Sequence, residues 1–202
     1  MELWDIYDKN KKPTGRTMKR NDWHLKDGEY HLTVLGVVAR EDGTFLITKR
    51  VMTKAWAPGW WEVSGGAAQA GEASYDAVLR EVKEETGLDV SNAQGGYLFT
   101  YKRENPGEGD NYFVDVYRFV MDISDEDLKL QTEETDGYMF ATKEQIEAFA
   151  AEGFGCVPEK YRIDSGGRFS EIPHCAFVHC FHIHIDKKYP CPSFTSILVF
   201  SI

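Results

Sequence analysis

The first 155 residues contain no cysteine, because all four cysteines lie at positions 156, 175, 180 and 191. Most of the chain must therefore fold without disulfides, which agrees with a reducing compartment. Residues 1–5 lack the basic start and apolar run of a signal peptide, and no apolar stretch is long enough to span a bilayer. We therefore expect a cytoplasmic protein without a membrane-spanning segment.

Basic residues are also scarce, with 23 Lys and Arg against 33 Asp and Glu, so the net charge is −10 at pH 7. This charge opposes binding to DNA, RNA or anionic lipid, and it predicts neither a nucleic-acid polymer nor a membrane as a partner. The composition, 42% hydrophobic and 13% aromatic, is that of a globular protein, and 202 residues suffice for one sizeable core.

Apolar patterns divide the chain into short strands and two helices. The predicted strands cover residues 2–7, 31–39, 45–50, 60–64, 97–102, 112–121 and 137–141, and the predicted helices cover residues 73–86 and 143–151. Turn formers at 8–15 predict a lead-in hairpin, and the turn at 41–43 predicts a central antiparallel hairpin. Together these elements predict an α/β fold in which helices cover both faces of a mixed sheet.

The first predicted helix carries three carboxylates on one side. Glu81, Glu84 and Glu85 are spaced i, i+3 and i+4, so they share one arc of the helix. Like charges at this spacing repel unless a cation lies between them, and magnesium or manganese favours carboxylate oxygens. The alternative is an ordinary solvated acidic face. The opposite face carries an apolar stripe that we expect to pack on the sheet, formed by Tyr75, Val78, Leu79 and Val82.

Residues 66–88 resemble the Nudix box, G-x(5)-E-x(7)-R-E-U-x-E-E-x-G-U with U aliphatic, at every specified position. The similarity to this family covers roughly residues 1–150. The resemblance implies a Nudix-type α/β/α sandwich with a mixed β-sheet. It also implies a pyrophosphohydrolase that uses Mg²⁺ or Mn²⁺ to cleave a phosphoanhydride bond in a small-molecule nucleoside diphosphate derivative.

The same resemblance assigns roles within the box. It implies that Glu81, Glu84 and Glu85 bind the catalytic metal, with the Gly66 carbonyl as a further ligand. It also implies that Arg80 is catalytic by orienting Glu81.

Five further residues receive roles outside the direct ligand set. Glu72, at the helix start, is either structural or a ligand through water, and Gly87 ends the helix. An additional carboxylate is expected before the strand at 137–141, where Glu133 and Glu134 are the candidates, followed by Asp136. Solubility of this loop is the alternative explanation for each of them.

For substrate binding we predict Arg50 and Trp60. Lys49 and Arg50 are neighbours on a strand and point to opposite faces, so only one can reach the pocket, and Arg50 matches the family's frequent basic position. Aromatic side chains near the box could stack on a base or pack in the core. They are Trp56, Trp60, Trp61 and Tyr101.

The N-terminal region resembles the subgroup related to isopentenyl-diphosphate isomerase, in which histidines spaced like His24 and His31 bind metal. That isomerase has a cysteine and a histidine in the loop where this chain has residues 64–68, reading Ser-Gly-Gly-Ala-Ala. Isomerisation needs an acid and a base on the two sides of the carbon skeleton. Hydrolysis is therefore favoured, with an isomerase-like enzyme and a non-catalytic Nudix-fold nucleotide sensor as alternatives.

Residues 166–202 differ in composition from the rest and hold three of the four cysteines and four of the six histidines. We predict a Nudix domain over residues 1–165 and an atypical tail over 166–202, either a strand pair or a poorly ordered segment. The spacing of its Cys and His residues fits no closed zinc pattern. Exposed apolar strands of this kind tend to pair with a neighbour, which leaves a homodimer open.

Overall fold

An N-terminal hairpin begins the fold in the computed structural model, which describes residues 2–54, 57–105 and 107–152. Strand β1 (Leu3–Asp8) pairs antiparallel with β2 (Pro13–Lys19), which confirms the predicted lead-in hairpin. Apolar side chains of the hairpin and the following loop form a small separate core, consisting of Trp4, Ile6, Met18 and Leu25.

The central strand β3 (Glu29–Ala39) pairs in parallel with β8 (Tyr112–Val120). On its other side it pairs antiparallel with β6 (Ser64–Ala67) and meets β4 (Phe45–Arg50) only at the turn, through Ala39 and Phe45. The predicted central hairpin therefore separates beyond its turn. The predicted strand at 60–64 is in fact two elements, because β5 (Trp61–Glu62) pairs with β4 while β6 pairs with β3.

The remaining elements complete a mixed sheet. Strand β7 (Gln94–Arg103) pairs antiparallel with β8, and β9 (Thr135–Ala141) pairs antiparallel with β4 along its length. Helix α2 (Lys143–Glu152) packs Ile146 and Phe149 on one face of the sheet, against a cluster that includes Phe45. These bounds differ from the predicted ones by only a few residues.

Helix α1 (Ser74–Thr86) covers the other face with Val78 and Val82, which are fully buried against β3 and β8. Gly36 makes this close approach feasible, since a β-carbon there would lie 2.5 Å from Val82 Cγ2. Gly87 ends the helix in the left-handed region at φ 80°, and its N–H donates to the Lys83 carbonyl. Helices on both faces of a mixed sheet confirm the predicted fold class.

The helical pattern predicts Tyr75 in the apolar stripe, but its side chain is exposed. It stands in the first turn of α1, where its ring leans outward beside Tyr117 at 5.9 Å between ring centroids. The predicted domain boundary at 165 and the tail at 166–202 lie outside the described residues. Within the described ranges, no helix has both the length and the apolarity that a membrane crossing requires.

Candidate active site

Helix α1 carries its carboxylates along the edge of β6. Glu81 lies beside Gly66, where a β-carbon would come within 2.5 to 2.7 Å of the atoms of the Glu81 carboxyl group. One turn further, Glu85 accepts a hydrogen bond from the Gly65 N–H at 3.3 Å. Glu84 points outward, with 56% of its side chain exposed. The three predicted ligands thus lie on one side of the helix but in two different environments.

Arg80 connects the beginning of the box with the carboxylate face. Its guanidinium donates to both oxygens of Glu72 at 2.8 and 2.9 Å, to Glu81 at 2.7 Å and to Glu84 at 3.3 Å. It also donates to the Ala67 carbonyl at 3.2 Å. The hydrogen bonds from Arg80 lower the pKa of Glu72, and those to Glu72 and Glu81 raise the pKa of Arg80. This geometry holds Glu81 in one orientation, as the predicted orienting role of Arg80 requires.

Glu62, on β5, is a fourth carboxylate, which no motif in the sequence indicates. Burial raises the pKa of Glu85 well above the usual glutamate range, and the negative charges of Glu62 and Glu81 raise it further. Burial also raises the pKa of Glu81 and of Glu62. Carboxylates at which charge is disfavoured by burial and by like neighbours are typical of functional sites.

Two basic residues partly balance this acidic group. Arg50 donates from one nitrogen to both oxygens of Glu62 at 3.0 Å, and Lys54 forms an ion pair of 2.6 Å with Glu134. The negative charge of Glu134 also acts on the pKa of Glu62, so this candidate carboxylate lies near the group. Glu133, in contrast, is exposed. We call Glu62, Glu81, Glu85 and Glu134 the carboxylate group.

The donor set of this group suits a hard divalent cation, because it offers carboxylate oxygens beside the backbone of Gly66. The missing side chain at Gly66 leaves open the space next to Glu81 that a β-carbon would fill. Within the described ranges, no three acidic, His or Cys side chains converge as they stand on a point that could hold a metal ion. Arg80 holds Glu81 and Glu84 through ion pairs instead, so a cation would have to compete with its guanidinium for these oxygens.

A cavity of about 360 Å³ lies at the same end of the sheet, where β4 ends and β5 begins. Lys49 lines this cavity, whereas Arg50 is bound to Glu62. The structure therefore brings the predicted residue Trp60 to a cavity but turns its predicted companion Arg50 toward the carboxylate group. The cavity lining consists of Lys49, Met52, Pro58, Gly59, Trp60, Trp61, Phe149 and Glu152.

The other aromatic candidates have different surroundings. Tyr101 is half-buried on β7 and packs near Phe99, with 6.4 Å between ring centroids. Trp56 lies outside the described residues.

The two N-terminal histidines face different carboxylates. His31 is buried, stacks on Trp4 at 4.7 Å between ring centroids, and places Nε2 3.2 Å from Asp110. The exposed His24 lies 3.2 Å from Asp22. In the part of the chain that the structure describes, neither histidine belongs to a group of side chains that could hold a metal. The shared metal that the isomerase resemblance suggested for them has no support in this geometry.

Sequence comparisons place these features in a known context. A family model described as the NUDIX domain matches residues 29–158. An uncharacterized Nudix hydrolase of Listeria innocua is 37% identical over 156 residues, which cover 76% of this chain and 87% of that relative. An isopentenyl-diphosphate Delta-isomerase of Salmonella heidelberg is 30% identical over 103 residues, covering 50% of this chain and 56% of that enzyme.

Solved structures agree with the sequence relatives. A Deinococcus radiodurans protein superimposes with a TM-score of 0.62 at 22% identity, over 76% of this chain and 91% of that chain. A MutT protein from Methanosarcina mazei superimposes with a TM-score of 0.53 at 22% identity, over 76% of this chain and 94% of that chain. At these identities the likeness shows a shared fold.

Proposed function

The chain belongs to the Nudix hydrolase family, and on that premise we propose that it uses Mg²⁺ or Mn²⁺ to hydrolyse a phosphoanhydride bond in a nucleoside diphosphate derivative. The observation that carries this proposal is the position of Glu81 against the open space at Gly66, with Glu85 one turn further along the helix accepting a hydrogen bond from the Gly65 N–H. Members of this family generally use divalent cations, and the choice of ion is part of the proposal.

We assign the residues of the box to four tasks. Glu81, Glu84 and Glu85 hold the cation, with the Gly66 carbonyl as a further ligand. A divalent cation held by these residues would neutralise the diphosphate and lower the pKa of the attacking water. Arg80 keeps Glu81 oriented through their 2.7 Å hydrogen bond. One member of the carboxylate group accepts the proton from the attacking water.

Residues around the box complete the assignment. Glu72 anchors Arg80 through two hydrogen bonds, and Gly87 ends the helix that carries the glutamates. Glu134 is favoured over Glu133 as the additional carboxylate, because its charge reaches Glu62. Trp60 and Arg50 remain assigned to the substrate, although Arg50 must share its guanidinium with Glu62.

Hydrolysis is favoured over isomerisation by the packing of the loop before the helix. A β-carbon at Gly65 would collide with the Val34 carbonyl oxygen and lie 2.6 Å from Leu35 Cδ2. A β-carbon at Gly66 would collide with the Glu81 carboxyl group. Neither position can therefore present an acid or a base to a carbon skeleton. The complete set of box glutamates likewise argues against a sensor that binds a nucleotide without cleaving it.

The test is hydrolysis in H₂¹⁸O with Mg²⁺ or Mn²⁺. The panel contains nucleoside diphosphate sugars, dinucleotides, nucleoside triphosphates, coenzyme A and isopentenyl diphosphate, and products are identified by mass. Cleavage of a phosphoanhydride bond places one ¹⁸O on a phosphate product, whereas isomerisation leaves the substrate mass unchanged. We expect labelled products from at least one nucleoside diphosphate derivative, and none without the divalent cation.

The matched variants are Glu85→Gln and, as control, Glu126→Gln, which changes an exposed glutamate far along the chain from the box. Activity lost in the first and kept in the second supports the proposed site. Full hydrolysis by both Glu84→Gln and Glu85→Gln would contradict it. Tight nucleotide binding without product would instead identify a sensor, and a rearranged isopentenyl diphosphate would identify an isomerase.

Two further predictions concern the setting of the enzyme. A location in the cytoplasm follows from the cysteine distribution, and fractionation of the native host tests it. Formation of a homodimer follows from the apolar strands predicted in residues 166–202, and sedimentation of the full chain beside one truncated after residue 165 tests both the dimer and the domain boundary.

A further inference from the structure

The cavity at the end of β4 and β5 combines flat apolar walls with one cation and one anion. The ring of Trp61 stacks on Phe149 with 5.6 Å between centroids and an interplanar angle of 21°. Trp60 also lines the cavity, whereas Lys49 and Glu152 supply its charged groups. The Lys49 ammonium lies 6.0 Å from the centroid of the Trp61 ring, so it is close to the aromatic wall.

The cavity and the carboxylate group flank the same strand pair from opposite faces. Lys49 and Trp61 are directly opposed in the β4–β5 register, so their side chains share one face of the sheet. The adjacent residues Arg50 and Glu62 therefore point to the other face, where they bind each other. Both sites are therefore built on the same two strands, β4 and β5, with Lys49 and Trp61 on one face and Arg50 and Glu62 on the other.

We propose that this cavity receives the nucleobase of the substrate whose diphosphate lies at the carboxylate group, an inference that rests on the proposed function. Indole rings are stacking platforms for any base. Lys49 offers hydrogen-bond donors to a ring nitrogen or carbonyl, and Glu152 accepts from an amino or imino group. An isoprenoid chain could use the apolar walls but neither charged group, so the pair favours a nucleobase over an isoprenoid.

The test combines kinetics with binding of a probe that cannot be hydrolysed. For Trp61→Leu we expect KM for the best nucleoside diphosphate substrate to rise roughly tenfold or more, with kcat within about twofold, since the loss concerns base stacking. Lys49→Met should raise KM by a smaller factor. Guanosine and uridine 5′-monophosphates contain no phosphoanhydride bond, and we expect them to quench tryptophan fluorescence in the wild-type chain but more weakly in Trp61→Leu.

The matched controls are Trp23→Leu and Lys9→Met, which change an exposed tryptophan and an exposed lysine outside the cavity and should leave KM unchanged. Trp60→Leu replaces Trp61→Leu if the latter does not fold, as judged by circular dichroism. An unchanged KM in every folded cavity variant overturns the cavity assignment, although hydrolysis itself still stands. Displacement of the monophosphates by isopentenyl diphosphate at equal concentration also overturns it. If no substrate is hydrolysed, the proposed function fails, and monophosphate quenching alone decides the cavity.

Discussion

Two acidic side chains in this fold, Asp115 and Glu85, have opposite electrostatic environments. Asp115 on β8 has only 3% of its side chain exposed, yet it accepts hydrogen bonds from Lys11 Nζ, Thr100 Oγ1 and Ser74 Oγ. Glu85 accepts a 3.3 Å bond from the Gly65 N–H and interacts with Ser64, but its charged neighbours are Glu62 and Glu81. The first carboxylate is compensated and the second is not.

This difference distinguishes a carboxylate that supports the fold from one that we propose to bind a cation. Lys11 lies in the β1–β2 turn and Ser74 at the start of α1. Because both donate to Asp115, this carboxylate links the hairpin to the helix. Removing a buried charge that is fully paired costs stability. Glu85 instead stores electrostatic repulsion, which a cation would relieve. The two residues should therefore respond oppositely to replacement by their amides.

The largest expected effect is on catalysis. Glu85→Gln should lower kcat for the best substrate by on the order of a hundredfold or more, because it would remove a charged oxygen from the proposed cation ligands. Steady-state hydrolysis at saturating Mg²⁺ measures it. Asp115→Asn, corrected for the folded fraction, should keep kcat within a fewfold of the wild type. Equal losses in the two variants would erase the distinction between these carboxylates.

The next largest effect is on stability. Asp115→Asn should lower the free energy of unfolding by about 2 to 3 kcal/mol, because the ammonium of Lys11 and two hydroxyl donors lose their charged acceptor. Urea unfolding followed by circular dichroism measures the change. Asp122→Asn, at an exposed aspartate, is the control and should stay within about 0.5 kcal/mol of the wild type.

A smaller effect is expected from Gly66→Ala. The added β-carbon must displace the Glu81 carboxyl group, which lies 2.5 Å from its position, so Mn²⁺ affinity should fall by roughly tenfold. Titration calorimetry with Mn²⁺ alone reads this out without turnover. Gly71→Ala is not a suitable control because Gly71 has φ 79°; Gly137→Ala is suitable, since a β-carbon there meets open space. Equal Mn²⁺ affinities in the two variants would remove Gly66 from the site.

The smallest expected effect is on the pH dependence of the free energy of unfolding. The folded-state pKa of Glu85 is raised, so its contribution to stability is complete below the ordinary glutamate pKa and is lost as pH rises through the raised value. The metal-free wild type should therefore lose stability across that window. Glu85→Gln should lose less and should melt a few degrees higher at neutral pH in EDTA. Thermal melts at several pH values measure this, and parallel curves for both proteins would contradict it.

Glu72, two residues before helix α1, provides the reverse case. Hydrogen bonds from Arg80 lower the pKa of Glu72, so its contribution is present above the ordinary glutamate pKa and is lost as pH falls through the lowered value. Glu72→Gln should therefore reduce stability at neutral pH and matter less in acid. The same melts, extended to low pH, distinguish the two glutamates.

Elements whose pattern is local could be predicted from the sequence closely. The bounds of β4 agree at both ends, and α1 begins one residue later than predicted and ends at Thr86. Helical periodicity and the stop at Gly87 are contained within the segment itself, so no distant contact is needed to read them. The candidate glutamates of the box come from the same local signal.

Features created by distant pairing could not be predicted in this way. The division of residues 60–67 between β5 and β6 depends on which neighbouring strand each half meets. Glu62 and Asp115 owe their environments to residues elsewhere along the chain, such as Glu134 for Glu62 and Lys11 for Asp115. Lys49 lines a cavity to which α2 contributes Phe149 and Glu152. Tyr75 obeys the helical period but stands in the first turn, where the sheet below no longer covers it.

The two faces of the strand pair β4–β5 carry different residues, so each face can change separately. Along each strand, one residue serves one side and the next residue serves the other, so Lys49 and Trp61 can be exchanged without altering Arg50 or Glu62. If the cavity holds the nucleobase as proposed, substitutions at Lys49 and Trp61 would change which base is bound and would leave Arg50 and Glu62 on the other face unchanged. Single substitutions on the cavity face would then change substrate preference within the same fold. Lys49 and Trp61 are therefore the first positions to randomise when engineering this enzyme.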